Sequence, residues 1–126
     1  MNAVEQDHRA FIEPYRRLID QALAHAGGTH TFEDVLDQIL LGEMLFWPGD
    51  KSCMVTEIVQ YPRKRGMHVF LAAGDLDEIK AMEPDLRLLA QKLKCDAISL
   101  AGRRGWVRAL KDIGFNEGHA IVVKNL

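Results

Sequence analysis

The sequence predicts one α/β (α+β) domain: a mixed sheet of about five strands, with two N-terminal helices and two later helices. Three observations carry this reading. Met67 to Ala73 (MHVFLAA) is a nearly unbroken apolar run, the mark of a strand covered on both faces. Ser52 to Tyr61 (SCMVTEIVQY) alternates and is rich in β-branched residues, as a hairpin strand is. The stretch from Gly66 to Phe115 then runs strand, helix, strand, helix, which implies a parallel pair with a right-handed crossover.

Taken in order, Phe11, Tyr15, Leu18, Ile19, Ala22, Leu23 and Ala26 form an apolar stripe at helical spacing. Pro14 belongs in the first turn of that helix, where a missing N–H costs nothing, and the residues before it read as a short separate turn. Gly27-Gly28 ends the helix. Thr31, with Asp34 three residues on, has the form of a capping box opening a second helix (Phe32, Val35, Leu36, Ile39, Leu40) that Gly42 stops. Met44 to Trp47 is a short apolar strand, and Pro48-Gly49-Asp50-Lys51 turns it into Ser52 to Tyr61. Pro62 to Gly66 is a basic turn into the strand from Met67, so the first three strands form an antiparallel meander. Glu83-Pro84 breaks the next helical region in two, with Pro84 in the first turn of the second piece. Ala97 to Ala101 is a buried strand, Trp106 to Ile113 a short helix stopped by Gly114, and His119 to Lys124 (HAIVVK) a final strand.

Composition narrows the function classes. A chain of 126 residues, 48% hydrophobic and 27% charged, has the make-up of a globular domain rather than a disordered one. A formal charge of −2 argues against general polyanion binding, so nucleic acid is not an expected partner. Arg63, Lys64, Arg65, Arg103, Arg104 and Arg108 would make a basic surface only if their turns lie at one end. Cys53 and Cys95 read as buried free thiols, and the five histidines show no metal-ligand spacing, so no metal is expected. No apolar run approaches a membrane span and the first ten residues are too polar for a leader, which predicts a cytoplasmic protein without a membrane partner. Trp47 and Trp106 read as packing residues.

The element order closing on Ala109-Leu110-Lys111-Asp112-Ile113-Gly114-Phe115 resembles the second half of the GNAT acyltransferase fold, over roughly residues 32–123. With the Gly102-Arg103-Arg104-Gly105-Trp106 turn it is most similar to small GNAT-like proteins of tailed bacteriophages, some of them virion proteins. The resemblance implies an acyl-CoA site in which backbone N–H groups after the central strand hold the pyrophosphate, on an Arg/Gln-x-x-Gly-x-Gly/Ala pattern. The matching residues are Ala72-Ala73-Gly74-Asp75-Leu76-Asp77-Glu78, which makes Ala73, Gly74 and Asp75 the cofactor-binding candidates. Only one glycine of the pattern is present, and Asp75, Asp77 and Glu78 place carboxylates where a helix start should meet an anion. The family's proton-donating tyrosine falls on Leu110, which cannot donate. Glu57 remains as a candidate general base and Tyr61 as a substitute acid.

Arg103 and Arg104, ahead of the last helix, are candidates for contact with an acidic ligand or partner, or else are solvated turn residues. The expectation is a GNAT-like binding or structural protein with a degenerate acyl-CoA site, working through a protein partner or self-association, with a virion as one setting. The alternative is an N-acyltransferase that takes acetyl-CoA through an unconventional site.

Overall fold

Capping residues start the helices. In the computed structural model, which describes residues 2–101, 104–119 and 121–126, the Asn2 side chain accepts the Glu5 N–H at 2.9 Å and opens α1 (Ala3–Ile12). Pro14 sits in a 3-10 turn, Glu13–Tyr15, that joins α1 to α2 (Arg16–Leu23). A full ten-residue helix thus precedes Pro14 where a short separate turn was expected. Its periodicity is weak because Ile12 is its one buried residue, and the Asn2 cap and an Arg9–Glu33 ion pair hold it in place. α3 (Phe32–Leu40) opens with the expected capping box. Thr31 N–H donates to Asp34 at 2.8 Å and Asp34 N–H donates to the Thr31 hydroxyl at 3.2 Å.

The sheet has four strands in sequence order: β1 (Met44–Pro48), β2 (Ser52–Gln60), β3 (Arg65–Gly74) and β4 (Ala97–Leu100). β1, β2 and β3 are the antiparallel meander, and β4 pairs parallel to β3 through the crossover α4 (Leu76–Ala81) and α5 (Glu83–Lys92). Met82 separates the two helices and Pro84 lies in the first turn of α5, where its ring is tolerated. α6 (Arg104–Ala109) and a 3-10 turn (Lys111–Ile113) follow β4, and Gly114 ends them at φ +93°.

A fifth strand at His119 to Lys124 was expected, and among the described residues the sheet has four. Ile121, Val122 and Val123 have strand-forming side chains but no ladder, and the described residues from Asn116 onward lie in coil. Strand propensity without a neighbouring edge in register makes no strand.

Two cores lie on opposite faces of the sheet. Ile12, Ile19, Leu23, Phe32, Val35 and Leu36 pack from α1–α3 onto Met44, Cys53, Val55 and Leu71. Ile79, Leu86 and Ala90 pack from α4 and α5 onto Met54, Met67 and Val69. β3 serves both faces by alternation, and a bulge shifts that alternation: Val55 pairs with Leu71 while the adjacent Thr56 pairs with Val69, which leaves Phe70 as the extra residue. Phe70 and Leu71 therefore both face α1–α3, whereas Met67 and Val69 face α4 and α5. Trp47 and Trp106 pack half-buried against the second core, and the Trp47 indole N–H donates to the buried Thr56 hydroxyl at 2.9 Å. Cys53 is buried as expected, whereas Cys95 is only partly so.

Candidate functional site

The turn after β3 is the place to test the expected anion cradle. Gly74 takes φ +107° there, and a Cβ on it would run into the backbone of Lys51 and Ser52. Glycine is thus required for packing against the β1–β2 turn. The turn and the start of α4 are bound together by carboxylates. Asp75 caps α4, accepting the N–H groups of Asp77 at 2.9 Å and Glu78 at 3.2 Å. Glu78 reaches back across the sheet end, accepting the Lys51 N–H at 3.0 and 3.2 Å and the Ser52 hydroxyl at 2.5 Å. Tyr15 closes the same corner by donating its hydroxyl to the Gly49 carbonyl at 2.8 Å.

These contacts are hydrogen-bonded capping of the most ordinary kind, and they occupy donors that an anion would need. An acyl-CoA pyrophosphate does not fit this turn, because Asp75 already takes up the N–H groups of Asp77 and Glu78, and the carboxylates of Asp75 and Glu78 would repel a phosphate. Ala73 pairs with Cys53 and packs on the first core, so it offers backbone alone.

Further along the sheet, β3 and β4 part. Their parallel ladder covers Gly66–Val69 against Ala97–Leu100, and the bulge at Phe70 begins where it ends. A cavity of ≈ 530 Å³ lies at the parting, between the end of α2 and Trp106 of α6, with His25, His68, Phe70, Leu100 and Trp106 in its wall. The His30 ring stands edge-on to Phe70, 4.7 Å between centroids.

Register places one polar row beside this cavity. Glu57, His68 and Ser99 are direct neighbours on β2, β3 and β4, and so share the face that carries α1–α3. His68 Nδ1 lies 2.9 Å from the Ser99 hydroxyl. Glu57 was a candidate from the sequence; His68 and Ser99 were not, because their spacing of 31 residues carries no motif until the strands are aligned.

The other candidates fall elsewhere. Tyr61 is exposed in the β2–β3 turn, its N–H donating to the Lys64 carbonyl, and lies four residues or roughly 13 Å along the strand from Glu57. It is at the far end of the hairpin from Gly74, roughly 30 Å away. Leu110, at the position of the family's proton donor, is buried at 4% exposure. Arg103 lies outside the described residues, and Arg104 begins α6. The β2–β3 turn with Arg63 and Lys64 adjoins the start of β4, whereas α6, which carries Arg108, follows its end. Burial pushes the Cys53 thiol up to about 12, which leaves it protonated and inert. No group of His, Cys, Asp or Glu among the described residues could hold a metal ion, and no described helix is long and apolar enough to cross a membrane.

The antiparallel meander followed by one parallel crossover strand is a GNAT-type mixed sheet. No family model and no curated protein sequence matches the chain. Solved structures do. A GNAT family acetyltransferase from Staphylococcus aureus superposes with a TM-score of 0.58 at 16% identity, covering 100% of this chain and 95% of that one. An acetyltransferase from Trypanosoma brucei gives 0.60 at 13% identity, covering 90% and 94%. A probable acetyltransferase gives 0.65 at 8% identity, covering 95% and 91%. The chain has the GNAT fold.

Proposed function

We propose that this chain is a GNAT-fold binding protein that does not use acyl-CoA. One observation carries the reading: Asp75 and Glu78 fill, with their own carboxylates, the turn in which the resemblance would place the cofactor's pyrophosphate. The buried Leu110 at the acid position supports it, since nothing there can protonate a leaving thiolate. The partner is a protein, and the similarity of residues 102–115 to small phage proteins makes a virion or its assembly the setting to examine first. Arg103 and Arg104 are the residues proposed to meet an acidic group on that partner. Calorimetric titration with acetyl-CoA and with CoA tests the reading. No heat is expected at millimolar ligand, and micromolar binding of either would overturn it.

A second reading, an acyltransferase with an unconventional donor site, is favoured by the parting of β3 and β4 and by the Glu57–His68–Ser99 row at its side. In it His68 or Glu57 would take the proton of an acceptor amine. The same titration separates the two readings.

A further inference from the structure

On the sheet face that carries α1–α3, one hydroxyl is held against one imidazole. Ser99 of β4 and His68 of β3 are partners in the parallel ladder, and the Ser99 hydroxyl lies 2.9 Å from His68 Nδ1. Burial does not require this bond. Ser99 is exposed and His68 half-buried, so water would satisfy either group. The distance is that of a nucleophile and its base, a pairing recognised by geometry rather than by order in the chain. Nδ1 accepts the hydroxyl proton when the ring carries its own proton on Nε2. Glu57 is the register neighbour of His68 on β2, across from Ser99, and a carboxylate on that side favours this tautomer.

His68 also stands in the wall of the ≈ 530 Å³ cavity at the parting of β3 and β4. The hydroxyl is therefore held at the rim of a space of the size that small ligands occupy. Much of the wall is apolar, from Phe70, Leu71, Leu100 and Trp106, and among the described residues no Asp, Glu, Lys or Arg lines it. Such a wall suits an uncharged acyl chain and offers no fixed cation to a diphosphate. His25 and Trp106 bring ring nitrogens to the same wall, the kind of donor an oxyanion needs.

We infer that Ser99 is a nucleophile activated by His68, and that the pair hydrolyses uncharged carboxylic esters whose acyl chain lies in this cavity. Ser99 Oγ attacks the ester carbonyl carbon as its proton passes to His68 Nδ1. The tetrahedral intermediate expels the alcohol oxygen, which takes that proton, and the acyl group stays on Ser99. Water then attacks the acyl-serine with His68 again as base, and the freed Ser99 oxygen recovers the proton as the acid leaves. No cofactor enters. The reaction adds to the partner-binding reading and uses no acyl-CoA, so a null titration with CoA leaves it untouched.

A fluorophosphonate probe and the substrate p-nitrophenyl butyrate, both used on the full chain, test it. The probe should attach at Ser99, as located by peptide mass spectrometry, and ester turnover should begin with a burst of p-nitrophenol. Ser99→Ala should lose the label and cut turnover about a hundredfold or more, with unchanged far-UV circular dichroism. His68→Gln should slow both labelling and turnover by a similar factor. A full chain that takes no probe overturns the inference, as does a probe found on another residue. Turnover that survives in Ser99→Ala overturns it too, since another group would then be acting alone.

Discussion

At the scale of single residues the corner around Glu78 decides what the turn after β3 can do. Its carboxylate satisfies the Lys51 N–H and the Ser52 hydroxyl, and Ser52 is wholly buried. Glu78→Ala strips both donors of their partner and should cost about 1.5–3 kcal/mol, the range for hydrogen bonds to a charged group. Urea unfolding of the variant measures it, and a loss under about 0.5 kcal/mol would show that water replaces the carboxylate without penalty. The acids themselves were legible in the sequence as a poor place for a phosphate. That Glu78 bonds residues 26 and 27 positions away was not, because such contacts depend on β1–β2 geometry and leave no periodic trace. His68 and Ser99 escaped notice for the same reason.

Among elements, those with local signals were the readable ones. The Thr31–Asp34 capping box, the break at Pro84, and the β1–β2–β3 meander each rest on residues within a few positions of one another, and each is present. Thr31→Ala should destabilise the fold by about 1 kcal/mol through the loss of the Asp34 N–H partner, with Thr31→Ser close to neutral. Thermal melts of the two variants check it, and equal losses would mean that the threonine methyl rather than the hydroxyl matters. α1 was hidden because its fixed point is a long-range ion pair with Glu33 rather than an apolar stripe. The fifth strand was expected because side-chain pattern speaks to propensity and is silent about whether an edge lies within reach.

For the molecule as a whole, pH is the informative variable. Hydrogen bonds from Arg9 and Arg16 hold the Glu33 carboxyl below its ordinary value of 4.5, and Arg16 does the same for Glu13. The Thr31 backbone N–H lowers Asp34 and Lys80 lowers Asp112, both from 3.8. A carboxyl depressed in the folded state contributes stability that is complete above its unfolded value and is lost as pH falls through its folded one. Melting temperature should therefore show no loss from these groups between neutrality and about pH 5, then fall on further acidification. Because all four groups are exposed, added salt should weaken the ion-pair share while sparing the Thr31 cap. A melting temperature that rises on acidification from pH 5 to 3 would contradict this. The inserted Phe70 has a consequence on the same scale. Had β3 kept strict alternation, Val69 and Leu71 would point the same way, and Leu71 would leave the first core. With one residue added, Leu71 turns to α1–α3 while Val69 stays with α4 and α5, so loosening either helical layer uncovers a large side chain of the same strand, and thermal unfolding should show a single transition.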